Sequence, residues 1–539
     1  MTIQIPFGII CSVKYQLTLM STSFYLRASA LASLLALAAC TVGPDFRRPD
    51  SPVAIASFGQ ANVADVDSQV TSSRPVEQSF DPAWWALFND PTLVALEREA
   101  LAANLDLQTA AARLAQSRAA LKVSGAALLP SVNMGASRLR ERASDKGILA
   151  LTGTADLASA TAANGTDPFG TNSLPGEVGQ TPYSLWQYGV DVSWELDLWG
   201  RARRVKESAA AQMEALRFDA EAVRVSMTAE VARTYLELRG VQDELRIARS
   251  NAAIAAKSLH VADRRRQQGV ATEFDTSVSA AQLASFEAAI PALEQRRAAL
   301  MNALALLLAK PPHALDAQLS SAYQVPVLPA QVPVGLPSEL AHRRPDILRA
   351  EAQLHASTAA IGVAKADFYP SVSLTGSFGF QSLSSGQLGS WGARQFAVGP
   401  VLHLPIFEGG RLAGNLALTE ARQQEAAIAY QRTVLAAWHE VDNALMAYRT
   451  VQQRADKLDM AAVQNRKALE HAERRYTQGA ADYLNVLVTQ QRLLDSENAA
   501  SRGRIDTTLA MVTLYKALGG GWAPVQPRTA NDMAPSAAP

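Results

Sequence analysis

The sequence predicts a mostly α-helical chain with a β-barrel portion, made by duplicating a unit of one strand hairpin followed by a long helix. Three observations carry this. Short segments alternate apolar and polar residues with period two, each pair of them precedes a proline-free run of helical spacing, and the second half of the chain repeats the first. The composition agrees: 48% of residues are hydrophobic, only 6% are aromatic, and alanine dominates many stretches, as in long helices that pack closely. With 50 Lys+Arg against 50 Asp+Glu the formal net charge is zero, which removes the basic footprint of a nucleic-acid binder.

Residues 1–39 read as a signal peptide. Met20 is the better start, which makes residues 1–19 an upstream extension; Arg27 is a short basic region, and Leu31 to Leu37 form an apolar core too brief to remain as a membrane span. The segment ends in Leu37-Ala38-Ala39-Cys40, which resembles a bacterial lipobox, so cleavage before Cys40 and lipid modification of its thiol are expected. Thr41 stands where many such lipoproteins carry an Asp that retains them at the inner membrane, which favours the outer membrane. An ordinary signal followed by a chance cysteine is the rival reading. Cys11, the other cysteine, lies in the removed part and leaves no internal disulfide. After residue 40 no stretch approaches the roughly 20 apolar residues of a spanning helix, so a membrane crossing must use strands.

A lipid-anchored tail and equatorial segment, 40–90, leads to a first repeat at 91–310 and a second at 338–518. Glu230-Val231, Arg239, Val241-Gln242, Arg264-Arg265, Gln268-Gly269 and Leu283 recur as Glu440-Val441, Arg449, Val451-Gln452, Arg474-Arg475, Gln478-Gly479 and Leu493, all 210 positions on. Upstream the offset becomes 240: Ala112, Leu114, Pro130 and Ser131 match Ala352, Leu354, Pro370 and Ser371. The difference falls in a Gly/Thr/Ala/Asn-rich insertion around residues 143–182, which a loop absorbs at little cost.

In the first repeat, Val132, Met134 and Ala136 mark a strand at about 131–139. Val190, Val192, Trp194, Leu196 and Leu198, alternating with Asp191, Ser193, Glu195 and Asp197, mark a second at about 188–198. The second repeat has matching strands at about 371–380 and 396–406. Helical spacing then runs through about 201–268 and 411–478, a length of roughly 100 Å each. Gly269 and Gly479 end these helices, and shorter ones return through about 275–308 and 485–517. Between the repeats, residues 311–337 carry six prolines that support extended turns in an equatorial linker. Residues 519–539 form a C-terminal tail. A cytosolic coiled-coil array would leave the alternating strands and the lipobox unexplained.

Four strands with one lipid-facing side cannot close alone, because each open edge would leave backbone groups unsatisfied in hydrocarbon. Three chains would supply a 12-stranded barrel. The row Asp191, Ser193, Glu195 and Asp197 would line its lumen or continue into the helical duct, with the apolar row facing lipid; the edge of a soluble β-sandwich is the other reading.

Several motifs then carry a family resemblance. Thr41-Val42-Gly43-Pro44-Asp45-Phe46, Trp84-Trp85-x-x-Phe88-x-Asp90-Pro91, Arg343-Arg344-Pro345-Asp346-Ile347, Phe368-Tyr369-Pro370-Ser371, Pro405-Ile406-Phe407-x-x-Gly410-Arg411, Arg475-Tyr476-x-x-Gly479 and Leu514-Tyr515-Lys516-Ala517-Leu518-Gly519 resemble the TolC-like outer-membrane efflux proteins, within them the NodT/OprM lipoprotein branch. The resemblance implies a homotrimeric exit duct, a 12-stranded outer-membrane barrel continuing into a periplasmic α-helical barrel. It also implies outer-membrane lipid as surroundings, with a periplasmic adaptor (a membrane fusion protein) and an inner-membrane transporter as partners. It places Gly269, Val270, Arg475, Tyr476 and Gly479 at an adaptor-contact tip; helix termination alone is the other account of the glycines. The first copy departs from the motif, showing Arg265-Arg266-Gln267-Gln268-Gly269 with no Tyr. Asp482 is a candidate periplasmic gate residue, since three carboxylates near an axis would narrow a duct and attract cations; capping of the returning helix competes with that role.

Nothing in the sequence suggests bond chemistry. The seven His are scattered, and no H-E-x-x-H pattern, P-loop or cysteine cluster occurs, so the chain reads as no enzyme, with no metal and no cofactor beyond covalent lipid on Cys40. Arg343-Arg344-Pro345-Asp346 reads as a helix start, and Trp84-Trp85 and Trp522 read as equatorial packing rather than membrane anchors. The competing function is a structural or adaptor-type periplasmic coiled-coil lipoprotein without a pore.

Overall fold

Two kinds of sequence period become two kinds of element. The computed structural model describes residues 41–49, 73–76, 78, 81–142, 182–320, 326, 328–335 and 343–523. The signal segment, Cys40, the insertion at 143–181 and the end of the C-terminal tail lie outside the described residues. The strands are β1 (Arg74–Val76), β2 (Ser131–Glu141), β3 (Tyr183–Leu196), β4 (Gln331–Pro333), β5 (Ser371–Ser382) and β6 (Arg394–His403). The helices are α1 (Pro91–Ala103), α2 (Leu105–Ala126), α3 (Arg201–Gln267), α4 (Glu273–Leu307), α5 (Asp316–Leu319), α6 (Pro345–Ala366), α7 (Arg411–Thr477) and α8 (Tyr483–Ala517). No described helix is long and apolar enough to cross a membrane.

Two compact units result, and neither is one sequence repeat: each takes segments from both halves of the chain. The first holds a four-stranded sheet in the order β2-β3-β5-β6, antiparallel throughout. Its two hairpins are joined by the β3–β5 ladder, where Val190 pairs with Phe378. Among the described residues the sheet is open, with β2 and β6 at its edges and no closed barrel.

Three details of the strands differ from expectation. β3 starts at Tyr183 and stops at Leu196, and β6 stops at His403, leaving Leu404 and Ile406 outside it. The carboxylate of Asp197 accepts from the backbone N–H of Ala202 (3.0 Å) and Arg203 (2.9 Å), so it caps the start of α3 instead of extending the polar strand row. Apolar–polar alternation continues through Leu198, which hides the point where the chain leaves the sheet.

The start of the described chain packs in this unit. The Val42 N–H donates to the Trp199 carbonyl at 3.0 Å. Arg204 holds Asp45 at 2.6 Å and Glu207 at 2.8 Å. Gly43, at φ +102°, lies so close to Gly362 that a Cβ on it would come within 2.4 Å of that residue's Cα, so only glycine fits the turn.

The second unit holds the main hydrophobic core, in which Trp84, Phe88, Leu93 and Leu96 pack with Tyr235, Leu304, Tyr448 and Leu514. Trp84 stacks on Tyr515 with ring centres 5.3 Å apart, and the Trp522 indole N–H donates to the Arg343 carbonyl at 3.0 Å. Both tryptophans are therefore packing residues. Asp90 caps α1 through the N–H of Thr92 (2.8 Å) and accepts the Tyr235 hydroxyl at 2.5 Å; Arg239 donates to that hydroxyl and to Gln242, which reaches the Leu319 carbonyl. Burial, with the neighbouring Asp90 carboxylate, pushes the Tyr235 hydroxyl pKa up.

The linker departs from the extended turns that its prolines suggest: α5 inserts one helical turn, and β4 pairs in parallel with β1, Val332 opposite Pro75. Pro345 begins α6 as expected. Arg344 before it ties the start of this helix to the end of α8 and to α7. Its guanidinium donates to Asp346 at 2.7 Å and to the Ala517 carbonyl at 2.7 Å, and pairs with Glu440.

Candidate functional site

Two places in the molecule have the geometry of function, the helix turns of the second unit and the sheet of the first.

At the turns, α3 and α7 end alike. Gly269 adopts φ +77° and Gly479 φ +74°. Gly269 N–H donates to the Arg266 carbonyl and Val270 N–H to that of Arg265, each at 2.9 Å; Gly479 and Ala480 repeat this with Tyr476 (3.0 Å) and Arg475 (2.8 Å). This double bond pattern around a left-handed glycine is a Schellman cap. A Cβ at either glycine would meet nothing within 4 Å, so substitution strains the backbone without a clash.

The returning helices begin differently. Thr272 caps α4 in a reciprocal box: its hydroxyl accepts from Asp275 N–H at 3.4 Å, and the Asp275 carboxylate accepts from Thr272 N–H at 2.8 Å. Asp482 stands at the same place before α8 with the extended backbone of a cap, yet its side chain accepts no capping hydrogen bond. Asp482 is exposed.

The two tips meet through side chains. The Arg265 guanidinium lies 4.4 Å from the centre of the Tyr476 ring, a cation–π contact. Tyr476 also packs on a small cluster of Leu469, Val486, Leu487 and Leu493, joined by Val278 from α4. Gln282 donates to Gln491 at 2.8 Å. The first copy's missing tyrosine is thus answered by its arginine, which reaches the tyrosine of the second copy. Arg475 and Val270 remain exposed.

Sequence reasoning missed Phe274 and Leu484, which are 69% and 57% exposed at equivalent places one turn past the two tips. A shared offset of 210 positions marks them, but neither belongs to an identical pair. Beside the tips, a cavity of about 700 Å³ opens between α3, α7 and α8, with Ile254, Val261, Leu469, Tyr476 and Arg466 among its walls. Above it Ser501 donates to Asp243 at 2.6 Å. Burial alone would raise the Asp243 carboxyl, but hydrogen bonds from Ser501 and Arg246 and the charges of Arg246 and Arg504 hold it below its ordinary value.

In the sheet, directly opposed residues share a face. One face carries Met134, Val190, Phe378 and Phe396 in one row and Val132, Val192, Gly376 and Val398 in the next. The other carries Asn133, Asp191, Ser377 and Ala397, then Ser131, Ser193, Thr375 and Gly399. Large apolar side chains stand in the open: Met134, Phe396 and Val398 are each about three-quarters exposed. The Trp194 indole, near the helix end of this face, donates to the Leu128 carbonyl at 3.1 Å.

Comparison with known proteins gives this geometry a context. The family model for outer membrane efflux proteins matches residues 96–310 and 336–520. The chain is 34% identical to outer membrane protein OprJ of Pseudomonas aeruginosa, over 92% of this chain and 95% of that protein. It is 33% identical to the pyoverdine export outer membrane protein OpmQ of Pseudomonas putida, over 82% of this chain and 88% of its relative. The solved outer-membrane channel OprN superposes with a TM-score of 0.76 at 33% identity, covering 90% of this chain and all of that one.

Proposed function

The chain belongs to the outer membrane efflux protein family, and we propose that three copies of it form the outer-membrane exit duct of a tripartite efflux system, conducting small molecules passively. The family consists of efflux channels rather than enzymes, and its place is the outer membrane. The observation that carries the finer reading is the sheet: one face apolar and exposed, the other polar, both edges open. Three such sheets joined edge to edge satisfy every backbone group and make a 12-stranded barrel with a polar lumen containing Asp191 and Glu195. The long helices continue the passage as a periplasmic α-helical barrel.

In this reading Cys40 carries a covalent lipid that anchors the chain to the outer membrane. Gly269, Val270, Arg475, Tyr476 and Gly479, joined by Phe274 and Leu484, form the surface where a periplasmic adaptor docks, and an inner-membrane transporter supplies the energy. Asp482 serves as a gate carboxylate. Support for the gate comes from its exposed cap position without a cap bond.

The test is single-channel conductance of the purified protein in planar bilayers, with oligomeric mass measured in the same detergent. Discrete pores from trimers are expected; a lipid-bound monomer that never conducts, even with the tip shortened at Gly479, would overturn the duct.

A further inference from the structure

The apolar face of the sheet is not apolar to its end. Its rows run from Leu196, Val372 and Leu402 near the helices, through Trp194 with Leu374, to the row of Met134, Val190, Phe378 and Phe396. Next comes an aromatic row, Tyr188 stacked on Phe380 at 5.2 Å, with Arg394 completing it on β6. Beyond it Arg138 sits opposite Trp186, and Arg140 opposite Ser184. The Arg138 guanidinium lies 4.6 Å from the centre of the Trp186 ring, and that of Arg394 lies 4.1 Å from the centre of Trp391, in the β5–β6 connection. Arg394 also donates to the Trp391 carbonyl at 2.6 Å.

Charge is sorted between faces and along this one. Asp191 and Glu195 lie on the polar face, whereas the charged residues that the strand register places on the apolar face are Arg138, Arg140 and Arg394, all at the loop end. A cation is costly at the centre of a bilayer and nearly free at its interface, so this end must stand at headgroup level if the face meets lipid. Arginine is the side chain suited to phosphate, because its planar fork donates two parallel hydrogen bonds to phosphate oxygens while its flat surface rests on an aromatic ring. Three arginines, two of them held over indoles, therefore form a preorganised anionic-headgroup margin on a face whose remainder suits acyl chains.

We propose that Arg138, Arg140 and Arg394, with Trp186 and Trp391, bind the phosphate groups of the outer-leaflet glycolipid, lipid A, at the loop-end margin of the sheet. The inference rests on the reading of the sheet as membrane-embedded. It commits to the glycolipid rather than free phosphate, since the rows of Val, Phe and Leu continue directly beneath the arginines and only a molecule with acyl chains uses both.

The full-length protein in neutral detergent is titrated with fluorescent bis-phosphorylated lipid A, and its channel activity is recorded in parallel. The triple variant Arg138→Gln/Arg140→Gln/Arg394→Gln is expected to bind roughly tenfold more weakly, as loss of charge-assisted contacts predicts. The gap should narrow at about 0.5 M salt, where exposed charges are screened. Lipid A stripped of its phosphates should bind both proteins alike, and inorganic phosphate alone should not displace the probe. The corresponding triple Lys variant keeps the charge but loses the planar fork and the stacking, so its affinity should fall between wild type and the Gln variant, which separates lost charge from a disturbed sheet. Equal binding by the wild type and the Gln variant, or equal binding of phosphorylated and stripped lipid A, overturns the proposal while intact conductance leaves the duct standing. Loss of both conductance and lipid binding in the wild type removes the membrane reading itself, and this inference with it.

Discussion

The two helix tips were built from one template, and they have diverged where their returning helices begin. The first tip satisfies itself: Thr272 and Asp275 close a reciprocal capping box at the start of α4. The second keeps the cap geometry but places Asp482 there without a capping bond, and puts a tyrosine where the first has Arg266. Divergence at equivalent positions separates what the turn needs from what a partner or a passage needs. The glycines belong to the turn, for both tips retain them with the same bond pattern. The ring packs between the tips, on Leu469 and Val486 and against Arg265, whereas the Asp482 carboxylate makes no cap bond.

The largest effect that would sharpen this contrast is expected from Gly479→Trp. The left-handed backbone there costs a bulky residue about 1–2 kcal/mol, and the indole would cover the proposed docking surface. Efflux should fall to near background in cells while trimers still assemble, and unchanged drug resistance would remove the second tip from the adaptor surface. Asp482→Ala comes next. Cation preference should decline and the closed-state conductance rise in planar bilayers, whereas Thr272→Ala leaves both unchanged; identical behaviour of the two variants would erase the functional difference between the tips.

A smaller effect is expected from Tyr476→Ala, which removes packing on Leu469 and Val486 together with the Arg265 contact. A double-mutant cycle with Arg265→Ala, read by thermal unfolding, should show coupling of about 0.5–1 kcal/mol, and strict additivity would mean the tips do not support each other. The smallest effect is that of Thr272→Ala on stability alone. Loss of a cap costs about 1 kcal/mol locally, so amide exchange at the start of α4 should quicken, while Asp482→Ala leaves exchange at the start of α8 nearly unchanged.

The parts of this molecule that follow a period were legible in the sequence. Val190 and Asp191 alternate because opposite faces of a strand meet different solvents, and the helical runs show the spacing that a buried seam requires. The glycine pair at 269 and 479 was legible for the same reason, since few other residues take a left-handed turn. What stayed hidden is contact between distant segments. Nothing in the spacing announces that Arg265 will stack on Tyr476, or that three residues at 74–76 will pair with three at 331–333. Asp197 was misread because its neighbours keep alternating after the strand has ended. Helix α1 escaped because Asp90-Pro91, a sound capping signal, stood in the sequence only as a family marker, and α2 because its cap, Asn104, follows α1 without a break in the helical spacing. The role of Asp482 was ambiguous because an aspartate before a helix is the ordinary cap, and only geometry shows whether the cap bond is made.

The middle ladder of the sheet sets a constraint on how the molecule can be made. β3 finds its second partner in β5, which is not synthesised until the chain has added most of another repeat. Closing so long a span delays the pairing, and topologies dominated by such distant contacts fold slowly. Until then the first hairpin carries an unpaired edge on β3 and exposed Val, Met and Trp side chains, the combination that promotes aggregation. The nascent chain is therefore expected to depend on periplasmic holding factors through this interval, and a stop codon just before β5 should yield an insoluble fragment rather than half a channel.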